Sequence, residues 1–455
     1  MSGASGAAAG GELPWSGRRL HLIGVGGAGM SAYARAASAL GATVTGSDAA
    51  SSPFTERLSA GGVLDAAIGH DAGNVPDGGD VEVFFSTAVP PENDEREAAR
   101  RRGLRERPRA DLLAELSALR RTIAVAGTHG KTTTAAMLVH ALDGAGMDPG
   151  WLVGGAVGAG RDNASWGEGE WLVVEADESD RSMLSLHAEI AVVTNIELDH
   201  HATFGSLAEV REVFRELLDG PRWAVIWDRP ELLELRAGEV APYDAHDVEL
   251  TPGGSRFRWR GQEVQLAVPG AHNALNATGA LEAARLAGAD EAAAARALQT
   301  FTGAARRFQP VGRTVAGALV FDDYAHHPTE IAATLDAART LAPRRLVAVF
   351  QPHLYSRTRL LAREFGSALA RADVVVALDV YPAREQASDY PGVSGLLVAE
   401  AAADASAGRP VYWLPKLDEA AGVLRSLLRE GDVCMVMGAG DVDALGRELV
   451  AAVAA

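Results

Sequence analysis

A chain of 455 residues, 47% hydrophobic and 22% charged, is too long for one ordinary core and fits a soluble globular protein of two to four domains. A formal net charge of −18 argues against general binding to nucleic acid or to an anionic membrane, so an anionic ligand must be gathered by local positive sites. The single cysteine, Cys434, excludes an internal disulfide and fits a buried thiol in a reducing cytoplasm, and no apolar run approaches membrane-spanning length.

Met1 to Gly11 is rich in Gly, Ala and Ser, without the basic start or apolar core of a signal peptide, and a disordered tail over 1–16 is expected. The first strand, Leu20–Gly24, runs into Gly24-Val-Gly-Gly-Ala-Gly29 and a helix from about Met30 to Leu40. A second strand, Thr43–Thr45, ends in Gly46-Ser-Asp48. This is a GxGxxG turn followed by an acid about 20 residues on, the arrangement that holds a diphosphate and a ribose. By itself the turn also fits a nicotinamide dinucleotide or a packing role, and both stay open at this point. A later strand, Val81–Phe85, ends at Ser86-Thr87, where ligands sit in open α/β sheets. The arginine-rich run from Arg96 to Arg109 is interspersed with Glu95, Glu97 and Glu106 and reads as a solvated helix and linker.

A second block opens with the short buried strand Arg121–Ala126 and the turn Gly127-Thr-His-Gly-Lys-Thr-Thr-Thr134, followed by apolar residues at helical spacing (Met137, Leu138, Ala141, Leu142). Strand, Gly-rich turn, Lys-Thr and helix make a phosphate-cradling loop. The chain has two lysines against 40 arginines, and one of the two is Lys131, where a compact point charge is needed among phosphate oxygens. The general pattern wants its first Gly at position 125, where this chain has Val125, so Gly127 and Gly130 are the expected hinges. Strand Trp171–Val174 then delivers Glu175-Ala-Asp-Glu-Ser-Asp180, and Ile190–Val193 delivers Thr194-Asn-Ile-Glu-Leu-Asp-His-His201. Two strands ending in carboxylate and imidazole after a phosphate loop fit a magnesium site. Strand-end caps and salt bridges would explain either cluster alone equally well. In Pro269-Gly-Ala-His-Asn-Ala-Leu-Asn276, Asn273 and Asn276 stand three apart at a helix start and can face one ligand, unless one only caps the helix.

The third block is another parallel α/β unit, with strands Leu346–Phe350, Asp373–Ala377 and Val433–Met437 alternating with helices. Polar groups gather at Phe321-Asp-Asp-Tyr-Ala-His-His-Pro328, Gln351-Pro-His-Leu-Tyr-Ser-Arg357 and Asp379–Arg384. The pair His326-His327 suggests zinc, but no third ligand stands at zinc spacing and adjacent loop side chains point apart, which argues against it.

With these segments in view the chain resembles the Mur ligase family from about Leu20 to Asp441. The resemblance rests on GVGGAGMS at 24–31, GTHGKTTT at 127–134, EADESD at 175–180, NIELDHH at 195–201, PGAHNALN at 269–276 and RRF at 306–308. The strings DDYAHHPTE at 322–330, FQPHLYSRT at 350–358 and DVYPARE at 379–385 are similar to the branch that adds L-alanine to UDP-N-acetylmuramate.

The resemblance implies three α/β domains: a Rossmann-like domain for the UDP-sugar over 17–118, a central P-loop-type ATPase domain over 119–309 and a Rossmann-like domain over 310–455. It implies ATP and Mg2+, with UDP-N-acetylmuramate and L-alanine as substrates, in a cytoplasmic monomer or weak homodimer. The UDP-sugar would be held by Gly24, Gly26, Gly27, Ala28, Gly29, Met30, Ser31, Asp48 and Ser86. ATP would be held by Gly127, Thr128, His129, Gly130, Lys131, Thr132 and Thr133, with Asn273 and Asn276 on the adenine side, Arg307 on the phosphates and Asp323 on the ribose. Thr132, Glu175 and His200 would ligate magnesium, and Lys131, Glu175, His200 and Arg307 would carry the chemistry. Tyr324, His353 and Arg357 would form the alanine pocket.

Two departures stand out. Leu354 occupies a position where many family members have a basic residue, and the chain has no lysine between Lys131 and Lys416, so a carbamoylated lysine cannot serve the central domain. Three alternatives are a sister ligase that attaches a preformed peptide to the same sugar in wall recycling, a nicotinamide-dependent oxidoreductase, and a nucleotide-binding module without catalysis. The oxidoreductase leaves the phosphate loop idle, and the module would not need Lys131, Glu175 and His200 together.

Overall fold

The apolar runs near the N-terminus pair as expected. In the computed structural model, which describes residues 13–158, 160–199 and 203–451, they form a five-stranded parallel sheet. Its order is Ala67–Ile68, Thr43–Asp48, Arg19–Ile23, Val81–Phe85, Arg105–Pro108. The first strand in sequence is central, and the chain winds outward on either side of it. The carboxyl end of Arg19–Ile23 is therefore a topological switch point, the place where open α/β sheets leave a crevice. Ile23 stands beside Ser47 on one neighbour and Phe85 on the other, so the residues that follow each strand, from Gly24, Asp48 and Ser86 onward, meet at that end.

The chain divides into two compact units. The first takes in everything up to Ala124, with Asp148–Gly154 and Asp162–Glu189; the second takes in Val125–Met147, Gly155–Arg161 and the chain from Ile190 on. In the first unit Gly150–Leu152 pairs parallel with Trp171–Glu175 and antiparallel with Ala164–Ser165. Its core joins Leu22, Met30, Phe84 and Leu112 to Leu152, Leu172 and Val174. Trp15, expected in the tail, belongs to this core: it is buried, its N–H donates to Leu40 O at 2.9 Å, and the Arg18 guanidinium lies 4.3 Å above its ring. Residues 1–12 lie outside the described residues.

The arginine-rich run is no linker. Asn93 caps a helix over Asp94–Arg101, Arg105–Pro108 is an edge strand and Arg109–Ala118 is a second helix. Arg96 pairs with Glu106 and stacks on Phe85, while Arg107 pairs with Asp111 and Glu115, so the charges are spent on neighbouring elements.

The second unit carries the parallel strands Ala188–Val193 (from Ile190), Trp223–Trp227 and Val240–Tyr243. It also has a three-stranded antiparallel sheet over Glu249–Thr251, Gly254–Trp259 and Gln262–Leu266. A six-stranded sheet follows in the order Gln309–Arg313, Leu319–Asp323, Asp432–Met437, Arg345–Phe350, Val374–Ala377, Val411–Trp413, parallel except for its first strand. The central strands are buried on both faces, which is why they read as unbroken apolar runs. Cys434 lies inside one of them, and burial pushes its thiol up to about 12. Among the described residues no helix is long and apolar enough to cross a membrane.

Candidate functional site

In the first unit, Gly24 turns the chain at φ +86°, and a Cβ there would stand 2.8 Å from the Ser86 Cβ. Gly26 donates its N–H to Asp48 Oδ2 at 2.8 Å, and Ser52 Oγ donates to Gly26 O. The acid at the end of the second strand thus closes on the turn itself. The helix Ala28–Ala39 starts from Gly27 without a side-chain cap, so its first N–H groups are open to an anion. Ser31 and the Ala28 carbonyl are held from inside by Asn163, whose Nδ2 reaches them at 3.0 and 2.8 Å. The turn, Asp48 and Ser86 therefore come together as expected. Arg109, read as part of a solvated run, also belongs here: its Nη1 lies 2.8 Å from where a Cβ on Gly29 would stand. Arg109 is anchored by Asp180 at 2.7 Å and Ser182 at 3.2 Å.

The phosphate loop lies in the second unit. Gly127 (φ +139°) and Gly130 (φ +82°) are its hinges, as the motif implied. A Cβ on Gly127 would stand 1.9 Å from Thr194 Oγ1, and one on Gly130 would stand 2.7 Å from Asn276 Oδ1. The stretch 194–197 pins the loop. Asn195 accepts from His129 N at 2.8 Å and donates to His129 O at 2.9 Å, and Thr194 Oγ1 donates to His129 O at 2.6 Å. Thr128 Oγ1 exchanges bonds with the Glu197 backbone. The helix Lys131–Gly144 begins at the uncapped Gly130, with Thr132 and Thr133 buried in its first turn. Lys131 Nζ donates to the loop carbonyls of Gly127 at 2.5 Å and Thr128 at 3.1 Å. Asn276 lies against the loop, while Asn273 donates to Pro269 O at 2.7 Å and accepts from Asn276 at 3.4 Å. Neither caps the helix Ala271–Leu286, whose N-cap is Gly270.

Of the expected magnesium ligands, Thr132 sits in the second unit, and Glu175 ends its strand in the first, accepting from Gly154 N at 2.6 Å. A hydroxyl and a carboxylate are hard oxygen donors and fit Mg2+. His200 lies outside the described residues.

Around His129 the second unit gathers a network from three segments. His129 Nδ1 is 3.3 Å from Glu330 Oε1 and its Nε2 is 3.5 Å from Glu197 Oε2. Burial by itself would lower the His129 pKa, but the two carboxylates outweigh it and raise it to about 9. Glu330 also receives Arg307 at 3.5 Å and the N–H of His326 at 3.0 Å, and its carboxyl is held well below the ordinary value. His327 caps the helix Pro328–Arg339 and lies 3.6 Å from Glu197; burial and the His129 charge press it down to about 4. His326 and His327 do point apart, as expected, one toward Tyr324 and the other toward His129.

The remaining candidates line the carboxyl end of the six-stranded sheet. Asp323 accepts from Phe308 N and Ala325 N, both at 2.8 Å, and burial raises it to about 6 against the pull of Arg307. Tyr324 lies beneath the Arg306 and Arg307 guanidinium groups, at 5.1 and 5.3 Å. His353 stacks on Tyr381 and is pushed down to about 3 by burial and by neighbouring His326 and Arg357. Arg357 donates to Asp199 Oδ1 from both Nε and Nη2. Leu354, between His353 and the helix Tyr355–Leu369, has φ +71°, a strained value for a branched side chain. Glu197, Asp199 and Glu330 were in view only as letters of longer strings. The one local signal, His-Pro-Thr-Glu, reads as a helix start with an acid in its first turn.

Comparison with known proteins shows the family of the chain. The family profiles "Mur ligase family, catalytic domain", "Mur ligase middle domain" and "Mur ligase, glutamate ligase domain" match residues 19–121, 125–284 and 306–440. The UDP-N-acetylmuramate–L-alanine ligase of Rubrobacter xylanophilus is 46% identical over 451 residues, covering 95% of this chain and 99% of that protein. The crystal structure of the UDP-N-acetylmuramate–alanine ligase of Thermotoga maritima matches with a TM-score of 0.82 at 28% identity, covering 96% and 99% of the two chains. A murein peptide ligase from Psychrobacter arcticus matches with a TM-score of 0.68 at 26% identity, covering 95% and 98%. The chain belongs to the Mur ligase family.

Proposed function

We propose that this chain joins L-alanine to the lactyl carboxylate of UDP-N-acetylmuramate at the expense of ATP, a step of peptidoglycan precursor synthesis in the cytoplasm. The observation that carries the reading is the Lys131 loop, pinned by residues 194–197, in a chain similar over nearly its whole length to alanine-adding ligases. A carboxylate oxygen attacks the γ-phosphorus of ATP, ADP leaves, and an acyl phosphate forms. The amine of L-alanine then adds to the acyl carbon and loses a proton, and phosphate departs from the tetrahedral adduct to leave the amide.

The chemistry demands neutralisation first, because a carboxylate must approach a polyanion. Lys131 supplies a point charge over the loop, the open helix start supplies N–H donors, and Arg307 supplies a second cation. Thr132, Glu175 and His200 would hold Mg2+, which when bound offsets phosphate charge. Asn276, beside Gly130, bounds the nucleotide site, and Asp323 faces the ribose. The Gly24–Ser31 turn, Asp48 and Ser86 hold the UDP-sugar in the N-terminal of three working domains. Tyr324, His353 and Arg357 bound the alanine site, where a guanidinium suits an amino-acid carboxylate.

The test is ADP release by the purified protein with magnesium, ATP and UDP-N-acetylmuramate, with either L-alanine or a tripeptide beginning L-Ala-γ-D-Glu. Release dependent on L-alanine is expected. Release with the tripeptide alone would replace this reading with the recycling ligase.

A further inference from the structure

We propose that His129, Glu197 and His327 form a binding site for a borderline transition-metal ion of the Zn2+ class, distinct from the magnesium ligands and able to clamp the phosphate loop. One nitrogen from each imidazole and one oxygen of Glu197 lie within 4.8 Å of one another. In a tetrahedral site with metal–ligand bonds of about 2.1 Å, ligand atoms stand roughly 3.4 Å apart. Two edges of that triangle already have this length: His129 Nε2 to Glu197 Oε2 is 3.5 Å, and His327 Nδ1 to Glu197 Oε2 is 3.6 Å. The third edge closes by a modest turn of two rings whose centroids are 4.6 Å apart.

A second observation points the same way. His129 is 8% exposed, and its Nε2 is buried without a hydrogen-bond partner although it faces a carboxylate. Its nearest acceptor, Glu197 Oε2 at 3.5 Å, lies beyond ordinary hydrogen-bond length, and a cation bound between the two would give both atoms a close partner. The surroundings also orient the ligands as metal sites require. Glu330 Oε1 lies 3.3 Å from the other nitrogen of His129, and Thr329 Oγ1 donates to Glu197 Oε2 at 2.7 Å. His327 Nδ1 accepts only a long bond, 3.4 Å, from Thr329 N, which a metal displaces cheaply. Two imidazoles and one carboxylate select zinc, nickel or cobalt over magnesium, which prefers oxygen and retains its waters.

The three ligands come from the phosphate loop, the stretch after Val193 and the N-cap of helix Pro328–Arg339, so a bound ion ties these segments of the second unit together. Because the loop must accept and release nucleotide phosphates, occupancy is expected to slow turnover. The site does not depend on which acceptor the ligase uses.

The full-length protein, stripped of metal by chelation, is titrated with Zn2+ by calorimetry in the presence of excess Mg2+, and separately with Co2+ while visible absorption is recorded. One Zn2+ per chain is expected, with intense Co2+ bands of a four- or five-coordinate nitrogen-ligated site. Both are lost, with affinity at least 10-fold weaker, in His327→Gln and in Glu197→Gln, whose folding is checked by circular dichroism. His187→Gln retains them. Unchanged binding in His327→Gln, loss of binding in His187→Gln, displacement by Mg2+, or only the pale octahedral Co2+ spectrum in the wild type would each overturn the proposal. If both variants misfold, the wild-type Co2+ spectrum alone decides.

Discussion

Arg357 places two of its donors on a single carboxylate oxygen of Asp199, at 2.7 and 3.1 Å, and each side chain is only 4% exposed. The pair joins residues 158 positions apart in sequence, and the guanidinium proposed to meet the alanine carboxylate is thereby fixed before substrate arrives. Breaking a buried pair from one side leaves an uncompensated charge and costs about 3–5 kcal/mol. Asp199→Ala should lower the unfolding free energy in urea by about that much, and Asp199→Ala with Arg357→Met should lower it by less than the sum of the single changes. Additive losses would show that the two groups do not stabilise one another.

Lys131→Ala should reduce turnover to background while UDP-N-acetylmuramate still binds with nearly wild-type affinity, measured by calorimetry. Lys131→Arg should not restore the rate, because a planar guanidinium cannot replace a compact ammonium on the carbonyl oxygens of Gly127 and Thr128. A Lys131→Arg variant near wild-type activity would remove the reason for retaining lysine here.

The departure from the general phosphate-loop pattern can be tested by two opposite substitutions. Val125 is completely buried in its strand, so Val125→Gly should destabilise by roughly 2–4 kcal/mol, from lost burial and added chain freedom, rather than improve nucleotide binding. Gly127→Ala should abolish ATP binding, because its Cβ would overlap Thr194 Oγ1 and its φ of +139° disfavours any side chain. Equilibrium denaturation and nucleotide titration of the two variants separate these outcomes.

Glu95 makes the first unit sensitive to acid. Burial alone would raise its pKa from the ordinary 4.5, but hydrogen bonds from His21, Ser47, Asn74 and His70 prevail and hold it at about 2. A carboxyl whose folded pKa is depressed contributes stability that is fully present above about 4.5 and is lost as pH falls from there through about 2. The full effect is on the order of 3 kcal/mol. Glu95→Gln should be less stable at pH 7 and should lose the steep part of the acid-unfolding curve between those limits, followed by circular dichroism.

Much of the scaffold was legible because its strands are largely apolar runs. Val81–Phe85 and Arg121–Ala126 have the same ends in sequence and structure, and Arg345–Phe350 begins one residue earlier than expected. The antiparallel strand Gly254–Trp259 alternates buried and exposed residues along its later part, yet polar residues at alternate positions hid it. The loop glycines were legible because turn chemistry is local. Arg109, Glu197, Asp199 and Glu330 were not, since each takes its meaning from a partner far away in sequence: Asp180, His129, Arg357 and His129 respectively. Trp15 was hidden by the Gly/Ala/Ser composition that precedes it.

The scarcity of lysine makes this chain a self-contained footprinting probe. An amine-acylating reagent meets only two lysine side chains: Lys416, 70% exposed beside Glu419, and Lys131, half-buried over the loop carbonyls. Lys416 should acquire the label at a constant rate whatever is bound, while nucleotide should shield Lys131. The ratio of two labelled peptides in a mass spectrum would then report occupancy of the phosphate loop directly, without mutation, dye or turnover.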